Sequence, residues 1–235
     1  MIPIGSIEQH GYHLLVGTDT LLAGAVTGAA VQRAIDEGVP TLSLPPMWTG
    51  HSPHHESLGG TISSGVDTVI QVLEDVAASA LRNDFDALLL VNGHSGSSAL
   101  VDSAVSSIGA DHDDVEVAAV TYFNLATEVV AEIRDSEPGG MAHGGEFETS
   151  LMLHLFPALV RENRDGTPMD EPAERARDEM FADGPLTVYR QFEAYSPSGA
   201  IGVPEAATAE KGAELFEYLV GEVADVLAGL FERTR

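Results

Sequence analysis

ALLLVNGHSGSS, residues 87–98, decides how this chain is read. Its first five residues, 87–91, are a continuous apolar run of strand length. That is the pattern of a parallel strand covered on both faces. The run breaks at Asn92, Gly93 and His94, and a helix pattern follows from Ser98 to Ile108. A buried strand, a glycine-punctuated polar turn and a helix make the repeating unit of an α/β protein. Ligands in such proteins lie beyond the carboxyl ends of the strands. His94 therefore stands where chemistry is expected.

Towards the carboxyl terminus, DHDD (111–114) reads as a solvated turn, Val115 to Thr121 as a strand and residues 122–134 as a helix. In the other direction, Ser64 to Arg82 reads as a helix with one apolar stripe at 66, 69, 70, 73, 76, 77 and 80. Asn83-Asp84 turns it into the central strand. IPIGSI, at the start, reads as a short strand ending at Gly5 or Ile7. A helix from about Leu21 to Glu37 follows, with Thr18 or Asp19 as its cap and Gly38 as its stop. Thr41 to Leu44 reads as another strand, running into Pro45-Pro46. Residues 47–65, with Trp48, His51, His54 and His55, show no periodicity and form a long loop of the kind that carries function. Beyond 135 come a glycine-rich segment (137–145), a helix over ETSLMLHLF (148–156), an irregular polar stretch (161–198) and a closing amphipathic helix, Glu210 to Arg233. The reading is one α/β domain over 1–235 with a largely parallel sheet. Polar segments 8–19, 45–60 and 92–97 each follow a predicted strand and converge on one sheet edge.

Composition narrows the function. Asp and Glu number 37 against 11 Lys and Arg, a formal net charge of -26, and the only lysine is Lys211. Nucleic acid demands basic neutralisation, and anionic membranes do too, so neither is an expected partner. Such self-repulsion is relieved by salt, which points to a salt-rich cytoplasm, or to a simply acidic protein. No apolar run approaches the roughly 20 residues of a membrane span, and Met1 leads into IPIG without a basic, signal-like segment. The expected location is cytoplasmic. Zero cysteines exclude disulfides, thiolate metal sites and a cysteine nucleophile.

A tight metal site must then use imidazole and carboxylate. Glu8 and His10 follow the first strand, Asp19 opens the next helix and His94 follows the central strand. This donor set suits divalent zinc, manganese or iron, and Asp19 is able to bridge two cations. His143, followed by glycines, leaves room for a ligand. Glu148 opens a helix, where a carboxylate either caps amides or reaches the site. His13 could support Glu8 or His10 from behind. His51, His54 and His55 could line a pocket, bind metal or be plain loop residues. His154, in an apolar stretch, reads as a helix residue.

These segments resemble the creatininase (creatinine amidohydrolase) family. The matching pieces are PIGSIEQHGYHL with TDT (3–20), the PP…G…H and GGTIS loop (45–63), LLVNGHSG (89–96), AHGGEFETSLMLHLFP (142–157) and SGAIGVPEAATAEKG (198–212). The resemblance implies a three-layer αβα fold and metal-dependent hydrolysis of C–N amide bonds. It implies one or two divalent ions per subunit, with Glu8, His10, Asp19, His94 and Glu148 as ligands and Asp19 bridging. His143 matches a histidine of proton transfer, with Glu146 the runner-up acid or base. The family often forms hexamers, which implies a homo-oligomer. Creatininase proper has Tyr-Glu after the NGH histidine, and that glutamate is a zinc ligand. Ser95-Gly96 stands there in this chain, which leaves its place to Glu148 or to one of His51, His54 and His55. Phe123 and Gly139 replace the family's substrate-flanking tryptophans, which disfavours creatinine. The family's further N-terminal segment does not precede the first strand in this sequence.

The implied chemistry is attack of metal-activated water on an amide carbonyl, with His143 protonating the leaving nitrogen. The expected substrate is a small molecule or a short peptide. The alternatives within the family are deformylation of a formamidopyrimidine nucleotide, mycofactocin-type peptide cleavage and creatinine opening. Arg161, Arg164 and Arg190 are the candidates for a substrate phosphate. Segments 47–60 and 161–198 are expected to set specificity. A metal-binding scaffold without catalysis is the rival reading.

Overall fold

In the computed structural model, which describes residues 1–169, 180–181 and 186–234, the central strand is β2 (Ala87–Asn92). It pairs in parallel with β1 (Ile2–Ile4) on one side and β3 (Glu116–Thr121) on the other. Ile4 lies opposite Asn92, and Asn92 opposite Thr121, so all three strands finish at one edge.

The two-residue period of β2 sorts its apolar side chains between two helical layers. Leu88 and Leu90, with Ile2 and Ile4, pack on α2 (Val66–Leu81) and α3 (Ser98–Asp111) through Val69, Leu73, Val101 and Ala104. Leu89 and Val91 point the other way. They join Leu22 and Val26 of α1 (Thr18–Asp36), then Phe147 and Leu151 of α5 (Glu146–Leu155), then Leu215 and Leu219 of α6 (Ala209–Arg233). Val130 of α4 (Thr127–Ile133) completes that layer. The result is the expected αβα sandwich around a parallel sheet. Among the described residues no helix is long and apolar enough to cross a membrane.

Thr41 to Leu44 corrects the sequence reading, because no strand forms there. Pro40, Pro45 and Pro46 lack the N–H donors that a ladder needs. Pairing with β1 survives only around them. Leu44 N donates to Met1 O (3.0 Å), Met47 N to Pro3 O (2.9 Å) and Gly5 N to Met47 O (2.8 Å). Helix α1 also begins earlier than expected, and neither Thr18 nor Asp19 caps it. Gly17 holds the cap position without a side-chain bond, Thr18 Oγ1 donates to Leu15 O (2.7 Å), and Asp19 lies inside the first turn. Within the long loop, Pro53–Leu58 forms a 3-10 turn that carries His54 and His55. The expected helix over 122–134 is a 3-10 turn, Tyr122–Ala126, leading into α4. Of the stretch 161–198, residues 170–179 and 182–185 lie outside the described residues.

Candidate metal centre

The strand ends deliver the donors by local bonding. After β1, Glu8 N donates to Val16 O (2.8 Å) and Ile62 N to Ile7 O (2.9 Å), pinning the loop that carries Glu8 and His10. After β2, the Asn92 amide works in both directions: Nδ2 donates to His94 O (2.9 Å) and Oδ1 accepts from His94 N (3.1 Å). This clasp fixes the turn and aims the His94 ring. At the start of α5, Glu148 Oε2 accepts from Gly144 N (2.6 Å), whose residue sits at φ 63°. Glu148 thus caps a backbone amide and still turns Oε1 to the cluster.

Two triads result, and they share one residue. His94 Nδ1 stands 3.2 Å from Glu8 Oε2 and 3.2 Å from Asp19 Oδ2. His10 Nε2 stands 2.9 Å from Asp19 Oδ1 and 3.7 Å from Glu148 Oε1. Neighbouring ligands on a cation with bonds of about 2.0–2.2 Å lie roughly 3.0–3.5 Å apart. The distances to His94 and from His10 to Asp19 come near that spacing, all donors of each triad lie within 4.8 Å of one another, and Asp19 gives one oxygen to each.

The ring protons fit the same reading. Backbone carbonyls only accept, so a ring nitrogen facing one carries the proton. His10 Nδ1 faces Glu8 O (3.0 Å), His94 Nε2 faces His51 O (3.2 Å) and His143 Nε2 faces Gln9 O (2.6 Å). In each ring the other nitrogen then points its lone pair into the carboxylates, which is how metal-ligating histidines are oriented. Glu8 Oε2 and Asp19 Oδ2 are buried without a hydrogen-bond partner. Leaving such oxygens unmatched is costly, and a divalent cation removes the cost.

The electrostatics agree. Burial opposes charge on His94, yet Glu8 and Asp19 lift its pKa to about 10. Burial likewise opposes charge on His10, and Asp19 with Glu148 raises it well above the ordinary range. Burial works against Glu8, but His94 and then His55 hold its carboxyl well below the usual range. The carboxylates therefore recruit positive charge strongly, and protons on imidazole fill that demand when no cation does.

Comparison with known proteins decides the family. The creatininase family model, creatinine amidohydrolase, matches residues 1–227. The chain belongs to the creatininase family. It is 32% identical to the mycofactocin precursor peptide peptidase of Mycobacterium ulcerans, over 97% of this chain and 84% of that one. It is 29% identical to the creatinine amidohydrolase of Pseudomonas putida, over 100% and 90% respectively. A creatininase variant in its zinc–zinc form superimposes with a TM-score of 0.82 at 27% identity, covering 98% of this chain and 90% of that one. A creatininase fold carrying this His/Glu/Asp cluster is a metal-dependent amidohydrolase, acting on a C–N bond with a divalent cation.

The other residues singled out in the sequence divide clearly. His143 comes to the cluster, with Nδ1 3.5 Å from Glu8 Oε1. Glu146, only two residues before Glu148, is not brought there. Its carboxylate accepts from Asp135 N (2.9 Å) and Ser136 N (2.9 Å) and pairs with Lys211. Successive helix residues point about 100° apart, so only one of this pair can face the site. His13 Nε2 meets Thr149 Oγ1 (2.9 Å), behind the cluster. His51 Nδ1 donates to Ser64 O (2.8 Å), and only its carbonyl serves the site. His154 is exposed on α5 beside the Phe216 ring.

The cavity beside the cluster has a volume of about 170 Å³. Phe123, Ala142, Met169, Met180, Phe192 and Ile201 supply its apolar wall. Sequence reading missed Met169, Met180 and Phe192. They come from the aperiodic stretch, and no spacing in it distinguishes a wall residue from a surface one.

Proposed function

We propose that the chain hydrolyses the amide bond of a short peptide or small uncharged molecule. One cation is held by Glu8, Asp19 and His94, and another by His10, Asp19 and Glu148. The observation that carries this is Asp19, whose two oxygens face two separate triads. A divalent cation bound there supplies Lewis acidity to the amide carbonyl and lowers the pKa of water.

The chain's own groups handle the proton. Burial lowers the pKa of His143 and so favours its neutral form. Its Nε2 proton is committed to Gln9 O, so Nδ1 is the nitrogen that faces Glu8 and the cavity. Nδ1 takes a proton from the attacking water and returns it to the leaving nitrogen, which cannot depart as an amide anion. His143 is thus base first and acid second.

The cavity supports an uncharged substrate group. Among its described lining residues there is no arginine or lysine. Arg164 Nη1 donates to Ala207 O (2.9 Å), and the Arg190 guanidinium lies over the Tyr195 ring. A phosphorylated formamidopyrimidine therefore meets no arginine or lysine among the described lining residues, whereas an apolar peptide residue finds a matching wall. Peptide cleavage also accords with what the mycobacterial relative is named for. A single domain over 1–235, a homo-oligomer and a cytoplasmic setting belong to the same reading, resting on family resemblance and acidic composition.

The test is reconstitution. Chain stripped by chelator and reloaded with zinc or manganese in molar salt is assayed against short peptides, creatinine and a formamide nucleotide. Turnover of peptides or other uncharged amides is the expected result. Bound cations with no turnover of any substrate would point to the scaffold instead.

A further inference from the structure

Gln9 stands between Glu8 and His10 and is buried. Its side chain serves backbone groups of other residues. Nε2 donates to Ser198 O (2.5 Å), and Oε1 accepts from Gly11 N (3.1 Å). Its own main chain is engaged as well. The N–H donates to Thr61 Oγ1 (3.2 Å), and the carbonyl accepts from His143 Nε2 (2.6 Å). All four polar atoms of this residue are therefore bonded, and they join the chain at 11, 61, 143 and 198.

The amide can sit in only one orientation. Turned over, it would set its oxygen against Ser198 O and its nitrogen against the Gly11 N–H. The turn on the far side is built to receive it. Gly199 has φ 82°, and a Cβ there would run into the Gln9 amide, so strain and contact both exclude a side chain. Two residues further on, Ile201 N donates to His143 O (2.7 Å). The Gln9 carbonyl thus holds the ring of His143, and the strap gripped by the Gln9 amide holds its backbone.

Other neighbours of His143 cannot do the same work. The rings of His10, His55 and Phe192 pack against it at centroid distances of 4.0, 4.3 and 5.2 Å. Ring packing confines the imidazole but does not tell one nitrogen from the other. A carbonyl does, because it only accepts. Rotated by half a turn, the ring would offer that carbonyl a carbon. With its proton moved to Nδ1, it would set two lone pairs face to face across 2.6 Å. Either arrangement strands a buried polar atom.

We infer that Gln9 is a positioning residue for His143. Its amide holds the turn at 9–11 and the strap at 198–201, so that its carbonyl fixes the ring with Nδ1 toward Glu8 and the cavity. The inference rests on the hydrolytic reading above only for its effect on turnover.

The test uses full-length, zinc-loaded protein carrying isotope-labelled histidine. Long-range nitrogen–proton NMR spectra show which ring nitrogen is protonated, and His143→Ala assigns the signals. The unsubstituted protein should show His143 protonated at Nε2. Gln9→Met keeps the length of the side chain and loses both amide bonds. It should keep the bound zinc, turn the His143 pattern into a mixture of both protonation sites, and lower kcat by about 10–100-fold with little change in KM, as for a misplaced reacting group. Gly199→Ala presses on the same amide from the strap side and should act alike. The double variant should be no worse than the more damaging single one, because both break one clasp.

A His143 protonated at Nδ1 in the unsubstituted protein, or an unchanged pattern in both variants, would overturn the inference. Zinc lost in step with kcat would overturn it too, making Gln9 a support for the metal ligands instead. The expected ring patterns without turnover of any amide would remove the hydrolytic reading and leave the positioning standing. Should Gln9→Met fail to fold, Gly199→Ala and the unsubstituted spectrum decide.

Discussion

At the carboxyl ends of the strands, Glu8, Asp19, His94 and Glu148 line a cavity of about 170 Å³, with His10 packed behind them. At the amino ends, a hollow of about 640 Å³ opens between Ile35, Leu42, Phe85, Leu227, Leu230 and Phe231. The larger space has no histidine among its described lining residues. The smaller one borders buried oxygens that nothing in the chain satisfies. Volume measures where packing stops. Unsatisfied, convergent polar atoms measure where a ligand is awaited. The contrast also explains the cost of each end: apolar contacts hold the lower end together, whereas the upper end keeps mutually repelling carboxylates that only a cation or a proton reconciles.

The comparison breaks first at Asp19. Asp19→Asn removes the charge shared by both triads, so bound metal should fall at both positions and turnover should drop to background. Metal analysis beside the peptide assay would refute the shared role if two ions and full activity survive. Next is His143→Ala, expected to lower kcat by about 10²–10⁴-fold with both cations retained. A loss of metal of the same size would make His143 a ligand instead. At the other end, Leu230→Ala should cost about 2–5 kcal/mol of stability while leaving kcat/KM within about twofold. A parallel collapse of activity would show that the two ends are not independent.

The smallest effect belongs to Lys211. Its Nζ pairs with Asp135 Oδ2 (2.6 Å) and with the buried Glu146 carboxylate. Lys211→Met strands that carboxylate and should cost roughly 3 kcal/mol, read by urea unfolding at neutral pH. Burial works against the charge on Glu146, but Lys211 and the Ser136 bonds outweigh it and hold its carboxyl below the usual range. A depressed carboxyl stabilises the fold above its unfolded pKa, and that stability is lost as pH falls through the folded value. The gap between wild type and Lys211→Met should therefore shrink in acid. A constant gap down to pH 3 would argue against the ion pair.

Much of this was legible because it repeats at short range. The apolar run 87–91, the stripe of α2 and the NGH turn each carry their reading in a few adjacent residues. Glu8, His10 and His94 announced themselves as candidate ligands by following strand ends. What escaped depends on longer-range geometry. Thr41 to Leu44 has strand composition, and only the flanking prolines show why the ladder fails. Glu146 and Glu148 look alike in sequence, and helix rotation sends one to Lys211 and the other to His10. His54 and His55 reach the cluster through a 3-10 turn with no period to betray it. Phe192 touches the His54, His55 and His143 rings from a segment that gives no signal at all.

Lys211 has one more implication. It is the chain's only lysine, and its amine is enclosed by Asp135, Glu146 and the Ala206 carbonyl. Acetylating or ubiquitin-conjugating enzymes thus meet no freely offered lysine on the folded molecule. Coupling it to a support or a dye can instead go through its abundant surface carboxylates.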